Sequence, residues 1–219
     1  YSVYDVTVAL QPGANVIGVM LGNGRYCSFR WRDDDLFGYD RFPCLRAELH
    51  ITYTDGSKEK IVTDTTWQVK RGPVGINGIY YGELYDARME IDGWDQPGLD
   101  DPGWVQAVTV DPPGGVMRAQ LMPPIRVTKR LQPVALLNPD PGVYIYDLGQ
   151  NITGWVRLKV EGQRGTEVKM RFAEVLDDCG RLDTRINREA KATDTYILKG
   201  KGVEVYEPRF TYHGFRYVE

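Results

Sequence analysis

Alternation of apolar and polar residues, broken at short intervals by turn residues, constrains this sequence more than any other feature. The clearest instance is LRAELHITYTDGSKEKIVTDTTWQV, Leu45 to Val69. Ala47, Leu49, Ile51 and Tyr53 alternate with Glu48, His50 and Thr52, and TDGS then separates them from a returning run, Lys58 to Val62. Asp-Gly between two alternating runs is a strong hairpin signal, because both residues accept the positive φ that a tight reversal needs. No long stretch repeats its apolar residues at the 3.6-residue period of a helix. With 24 glycines and 13 prolines in 219 residues, the chain is interrupted too often for long helices and suits short strands.

The same pattern runs through the rest of the chain. YSVYDVTVAL opens with alternation, QPGAN (Gln11 to Asn15) is a Pro-Gly turn, VIGVML reads as a buried strand, and GNG (Gly22 to Gly24) as a sharp reversal. Trp94 and Trp104, each after a Gly, are expected to pin the irregular segment between them onto a sheet. Four prolines and two adjacent glycines in DPPGGVMRAQLMPPIRV place a domain boundary near residues 111–124. Beyond it six strand-like runs follow at regular spacing, as in an antiparallel sandwich. DTRINREAKA (Asp183 to Ala192) reads as one helical turn or a long loop. In GVYIYDLGQNITGWVRLKVEG, Gly142 to Gly162, the segment DLGQNITG reads as the turn between two strands, with Gly149 and Gly154 serving the reversal. The expected fold is all-β: two antiparallel β-sandwich, jelly-roll-like units. The first, 1–112, is incomplete at its N-terminus; the second spans 113–219.

Composition narrows the function classes. The net charge is −3 and no basic stripe is present, so nucleic acid is not an expected partner. The acidic run Asp33 to Asp35 reads as a solvated loop beside Arg30 and Arg32. No apolar run reaches the ~18 residues of a membrane span, and no signal peptide is read. Cys27, Cys44 and Cys179 fit neither a disulfide framework nor a zinc pattern, and reduced thiols suit a cytoplasmic location. Both ends read as lying inside strands, which points to a piece of a larger polypeptide.

The search for chemistry yields candidates and no complete machinery. Glu83, Asp86, Glu90 and Asp92 in GELYDARMEID are read first as surface charge on a strand, with Arg88 to pair them. His50 is expected at the surface, and His213, among aromatics in RFTYHGFRY, is expected buried and hydrogen-bonded. Nucleophile elbow, P-loop and dinucleotide fingerprint are all missing. Tyr26, Trp31, Tyr80, Tyr81, Trp94, Trp104 and Trp155 are the aromatics to consider as sugar platforms, although such rings mostly fill cores and edges.

Six phrases in order carry a resemblance: YDVTVALQPGANVIGVMLGNG, GELYDARMEIDGWDQPGLDDPGW, MPPIRVTKRLQPV, YIYDLGQNITGWVRLKVEGQRGTEVKMRFAEVL, ATDTYILKG and YEPRFTYHGFRYVE. Together they resemble the N-terminal β-domains of bacterial α-L-rhamnosidases, glycoside hydrolase family 78. The resemblance covers nearly the whole chain. It implies an accessory β-region next to an (α/α)₆ barrel of the same polypeptide, where two acids hydrolyse terminal α-L-rhamnose with inversion. It implies that activity for the parent and denies it to this segment, which has no helical array. In some members the first sandwich binds rhamnose with calcium, and the LGNG loop carries an Asn of that site, here Asn23. The expected carbohydrate contacts are Asn23, Tyr26, Glu83 and Asp86, with Asn23 also a calcium ligand. Where other members have GWY after that loop, this chain has Arg25 followed by Tyr26. A stand-alone carbohydrate-binding module and an adhesive sandwich are the competing readings.

Overall fold

The computed structural model describes residues 1–24, 27, 42–112 and 114–219. Tyr26, Trp31 and the Asp33 to Asp35 run lie outside the described residues. The architecture is nearly all β. The only helical elements among the described residues are three short 3₁₀ turns, Thr7–Ala9, Ala87–Met89 and Arg185–Asn187.

The predicted hairpin is present. β1 (Glu48–Thr52) pairs antiparallel with β2 (Lys58–Val62), setting Leu49 opposite Ile61 and Ile51 opposite Glu59. Its turn closes through the Tyr53 N–H on the Ser57 carbonyl, and Gly56 supplies the positive φ of 84°. β3 (Gln68–Val69) pairs with β6 (Val105–Gln106) in a second small ladder.

The main sheet has seven strands. They are β4 (Val74–Gly78), β5 (Gly82–Asp86), β7 (Ala135–Leu137), β8 (Ile145–Gly154), β10 (Glu167–Ala173), β11 (Thr193–Ile197) and β13 (His213–Val218). Their order across the sheet is β4-β5-β11-β10-β13-β8-β7. Every pairing is antiparallel except β5 with β11, where Leu84, Tyr85 and Asp86 run parallel to Thr195, Tyr196 and Ile197. Strands from residues 74–86 thus complete the sheet built from residues 135–218.

β9 (Leu158–Glu161) and β12 (Val203–Tyr206) form the opposing ladder. Met170, Phe172, Tyr196, Leu198, Tyr206, Phe215 and Val218 fill the space between, with Leu158 and Val160 closing it from β9. The other face of the main sheet carries a smaller cluster, Ile145, Ala173 and Leu182. Alternation decides this division: Met170 and Phe172 face one side of β10 while Ala173 faces the other.

Three local expectations need correction. YSVYDVTVAL is no strand: its residues carry the Thr7–Ala9 3₁₀ turn, with the Ala9 N–H on the Val6 carbonyl. DLGQNITG is no turn: it lies inside β8, which runs unbroken from Ile145 to Gly154. Gly149 has φ of 75°, and the pairing with β13 shifts register between Phe215 and Tyr217, so the residue sits at a bulge. The Asp147 carboxylate accepts the Gly149 N–H at 2.7 Å, the contact an Asx-turn makes, which is why the stretch reads as a reversal. The chain leaves β8 through a short link, Trp155 to Arg157, and passes into β9 of the opposing ladder. VIGVML, in turn, is neither a strand nor buried: Val16, Ile17, Val19 and Leu21 are exposed. A strand needs a partner ladder, and among the described residues none lies beside this segment. The QPGAN turn does form, with Asn15 bonding the Gln11 N–H and carbonyl.

Candidate functional site

The tight β4–β5 connection positions a buried polar cluster. Gly82 has φ of 94°, and a Cβ there would lie 2.0 Å from the Thr193 carbonyl oxygen. Only glycine lets β5 approach β11 this closely. The next residue, Glu83, is 1% exposed. Its carboxylate accepts from the Tyr206 hydroxyl at 3.1 Å, the Arg209 N–H at 3.1 Å and the Phe210 N–H at 3.0 Å. Burial pushes its carboxyl above the usual range, opposed by those donors and assisted by the nearby Asp194 charge.

Asp194 on β11 is fully buried. Its Oδ1 accepts the Glu83 N–H at 3.0 Å and lies 3.0 Å from His213 Nε2, while its Oδ2 has no partner among the described residues. His213 is buried as its aromatic surroundings predict, stacked 4.2 Å from Phe172. Opposite Glu83 in the ladder stands Asn77, whose side-chain oxygen accepts the Asn23 N–H at 2.8 Å; the Asn23 amide donates to the Asn77 carbonyl at 3.3 Å. The Thr211 hydroxyl donates to the Gly78 carbonyl at 3.1 Å. Hydrogen bonds therefore tie together four distant parts of the chain: residue 23, residues 77–83, residue 194 and residues 206–213.

Of the expected carbohydrate contacts, Asn23 and Glu83 meet in this cluster through Asn77. Asp86 does not: three residues beyond Glu83 on a strand, it leaves by the opposite face. It caps the Ala87–Met89 turn and holds Arg88 through Nε at 2.8 Å and Nη2 at 2.7 Å. Glu83 is not the surface charge that its strand position suggests, because its partners come from residues more than a hundred positions later. Within this cluster Asn23 bonds Asn77, through its backbone N–H and its side-chain amide. Among the described residues no group of three or more His, Cys, Asp or Glu is placed to hold a metal ion.

An open feature lies on the far side of the segment that Glu83 secures. A cleft of about 530 Å³ is lined by Tyr85, Glu90, Trp155, Arg157, Glu207 and Arg209, with Tyr196 and Tyr206 behind them. Tyr196 stacks on Tyr206 at 4.8 Å and on Tyr85 at 5.7 Å, and Tyr85 meets Tyr206 tilted by 48° at 5.4 Å. Their hydroxyls are committed to three carboxylates, those of Glu90, Glu204 and Glu83. Of the open residues the sequence pointed to Trp155, as a sugar platform, and to Glu90, as one of the carboxylates of GELYDARMEID. Glu207 and Arg209 went unnoticed because no local pattern distinguishes them from ordinary surface charge.

Comparison with known proteins decides the family. The model of the α-L-rhamnosidase N-terminal domain matches residues 1–129, and that of the bacterial α-L-rhamnosidase concanavalin-like domain matches residues 137–219. The chain belongs to the α-L-rhamnosidase family. An α-L-rhamnosidase of Streptomyces avermitilis is 44% identical over the whole chain, which spans 21% of that protein, and one of Formosa agariphila is 35% identical, with 24% of its length spanned. Among solved structures, the α-L-rhamnosidase of Dictyoglumus thermophilum superposes on 90% of the chain with a TM-score of 0.83 and 47% identity. The S. avermitilis enzyme, solved with L-rhamnose, superposes on 82% with a TM-score of 0.80 and 46% identity. The chain thus spans about a fifth to a quarter of the curated rhamnosidases it matches, and 21% and 18% of these two solved chains.

Proposed function

We propose that this chain is the accessory, non-catalytic β-region of an α-L-rhamnosidase, and that a catalytic barrel elsewhere in the same polypeptide hydrolyses terminal α-L-rhamnose with inversion. The observation that carries this reading is that two successive rhamnosidase domain models match residues 1–129 and 137–219, while the chain is a fifth to a quarter of the relatives' length.

The chemistry of the acids supports it. Inversion needs an acid and a base facing each other across an open site, about 6.5–9.5 Å apart. Glu83 has the raised carboxyl suited to a general acid, but it is enclosed and fully engaged by three donors. Glu90 and Glu207 line open space, yet Glu90 is paired with Lys199 and Glu207 with Arg157. The buried cluster instead ties the two family domains into one sheet, which gives a rigid shoulder against which a barrel can be held. The test is hydrolysis of p-nitrophenyl α-L-rhamnoside by the polypeptide that carries this chain, followed by proton NMR of the first product. Release of the β-anomer is expected. No hydrolysis, or α-rhamnose as the first product, would contradict the reading.

A further inference from the structure

We propose that the cleft beside Trp155 is a saccharide-binding site, separate from Asn23. The choice of sugar probe rests on the rhamnosidase reading; the site itself rests on its geometry. Trp155 follows the last residue of β8 and is half-buried. Its indole N–H donates to Glu207 Oε2 at 3.0 Å, which fixes the ring by one edge. The other oxygen of Glu207 takes Arg157 Nε at 3.2 Å. From beneath, Glu83 holds the backbone of Arg209 and Phe210, so the wall from Glu207 to Arg209 is anchored. The stacked tyrosines behind have no hydroxyl left to reorient. A site built this way loses little freedom when it binds, and its volume lies within the range of small-ligand pockets.

The polar groups select the ligand class. A sugar ring offers a C–H face that packs on an aromatic plate, and around it hydroxyls that both donate and accept. The cleft supplies a tryptophan, acceptors in Glu90 and Glu207, and donors in Arg157 and Arg209. The Arg209 guanidinium is exposed and makes no hydrogen bond or ion pair with any described residue, so its donors are uncommitted. A phosphate would meet two carboxylates, and an apolar peptide would find only Val205 and Pro208 as aliphatic partners. A hydroxyl-rich ring meets neither objection.

The test follows the Trp155 indole N–H in a ¹H–¹⁵N spectrum of the 219-residue chain, assigned by its disappearance in Trp155→Phe. L-rhamnose, D-glucose and D-galacturonate are added separately. A saturable shift with at least one of them is expected, with Kd on the order of 1 mM. Arg209→Ala, which keeps the backbone N–H to Glu83, should raise that Kd about tenfold. An indole that stays in place with all three sugars overturns the proposal, as does a Kd unchanged in Arg209→Ala. A response in the isolated chain that vanishes in the longer polypeptide also overturns it, since the cleft is then covered by another part of the protein. Hydrolysis is read separately, so a rhamnosidase with a silent Trp155 loses the cleft and keeps its family function.

Discussion

Replacing Glu83 tests the joint between the two family domains. Glu83→Ala leaves the Tyr206 hydroxyl and the N–H groups of Arg209 and Phe210 without their acceptor. A buried donor left unpaired costs about 1–3 kcal/mol. The Tyr206 hydroxyl is deeply buried and bears the full cost, whereas the segment at 209–210 is nearer the surface and can recruit water. Removing a buried charge offsets part of the loss. The expected destabilisation is about 3–4 kcal/mol, read by urea denaturation at pH 7. Glu83→Gln adds a pH signature. Burial raises the folded-state carboxyl above its unfolded value, so the folded chain holds more protons between the two. Stability of the parent chain should therefore rise as pH falls from the raised value toward about 4.3, the ordinary Glu value, and Glu83→Gln should lack that rise. A loss below about 1 kcal/mol in Glu83→Ala, with unchanged pH dependence in Glu83→Gln, would refute the account of the cluster.

Gly82→Ala places a Cβ 2.0 Å from the Thr193 carbonyl at positive φ, and should cost more than about 3 kcal/mol by thermal or chemical denaturation. Trp155→Ala removes a half-buried ring and its bond to Glu207, and should cost only about 1–2 kcal/mol, well below a core tryptophan. Asn23→Ala breaks the amide contact to the Asn77 carbonyl, and about 1 kcal/mol is expected in denaturation. For the calcium-assisted rhamnose site that the resemblance implies at Asn23, calorimetry with L-rhamnose, before and after chelator, decides the matter: calcium-dependent heat lost in Asn23→Ala would support the site, and the absence of any calcium-dependent heat would leave Asn23 as a structural residue bonded to Asn77.

The features legible in the sequence are those settled by near neighbours. Asp55 and Gly56 lie between the strands they reverse, so the β1–β2 hairpin could be read directly. The burial of His213 followed from the aromatics flanking it. Gly149 misled because a bulge and a turn use the same chemistry, a positive φ with an Asp two residues earlier. What distinguishes them is whether the partner strand continues past the glycine, and β13 lies more than sixty residues away. Glu83 was hidden for the same reason. Its local surroundings look like a solvated strand, and the groups that bury it come from residues 194 and 206–210. The parallel β5–β11 pairing that joins the two halves has no local signature either.

On the proposed function, this chain supports catalysis without performing it. The most direct measurement is turnover of p-nitrophenyl α-L-rhamnoside by the 219-residue chain, purified in folded form, beside the longer polypeptide that contains it. No release of p-nitrophenol by the chain is predicted, with clear release by the longer protein. Turnover that co-purifies with the chain, and falls when Glu90 or Glu207 is changed to Gln, would contradict the claim and place the acid and base in the cleft.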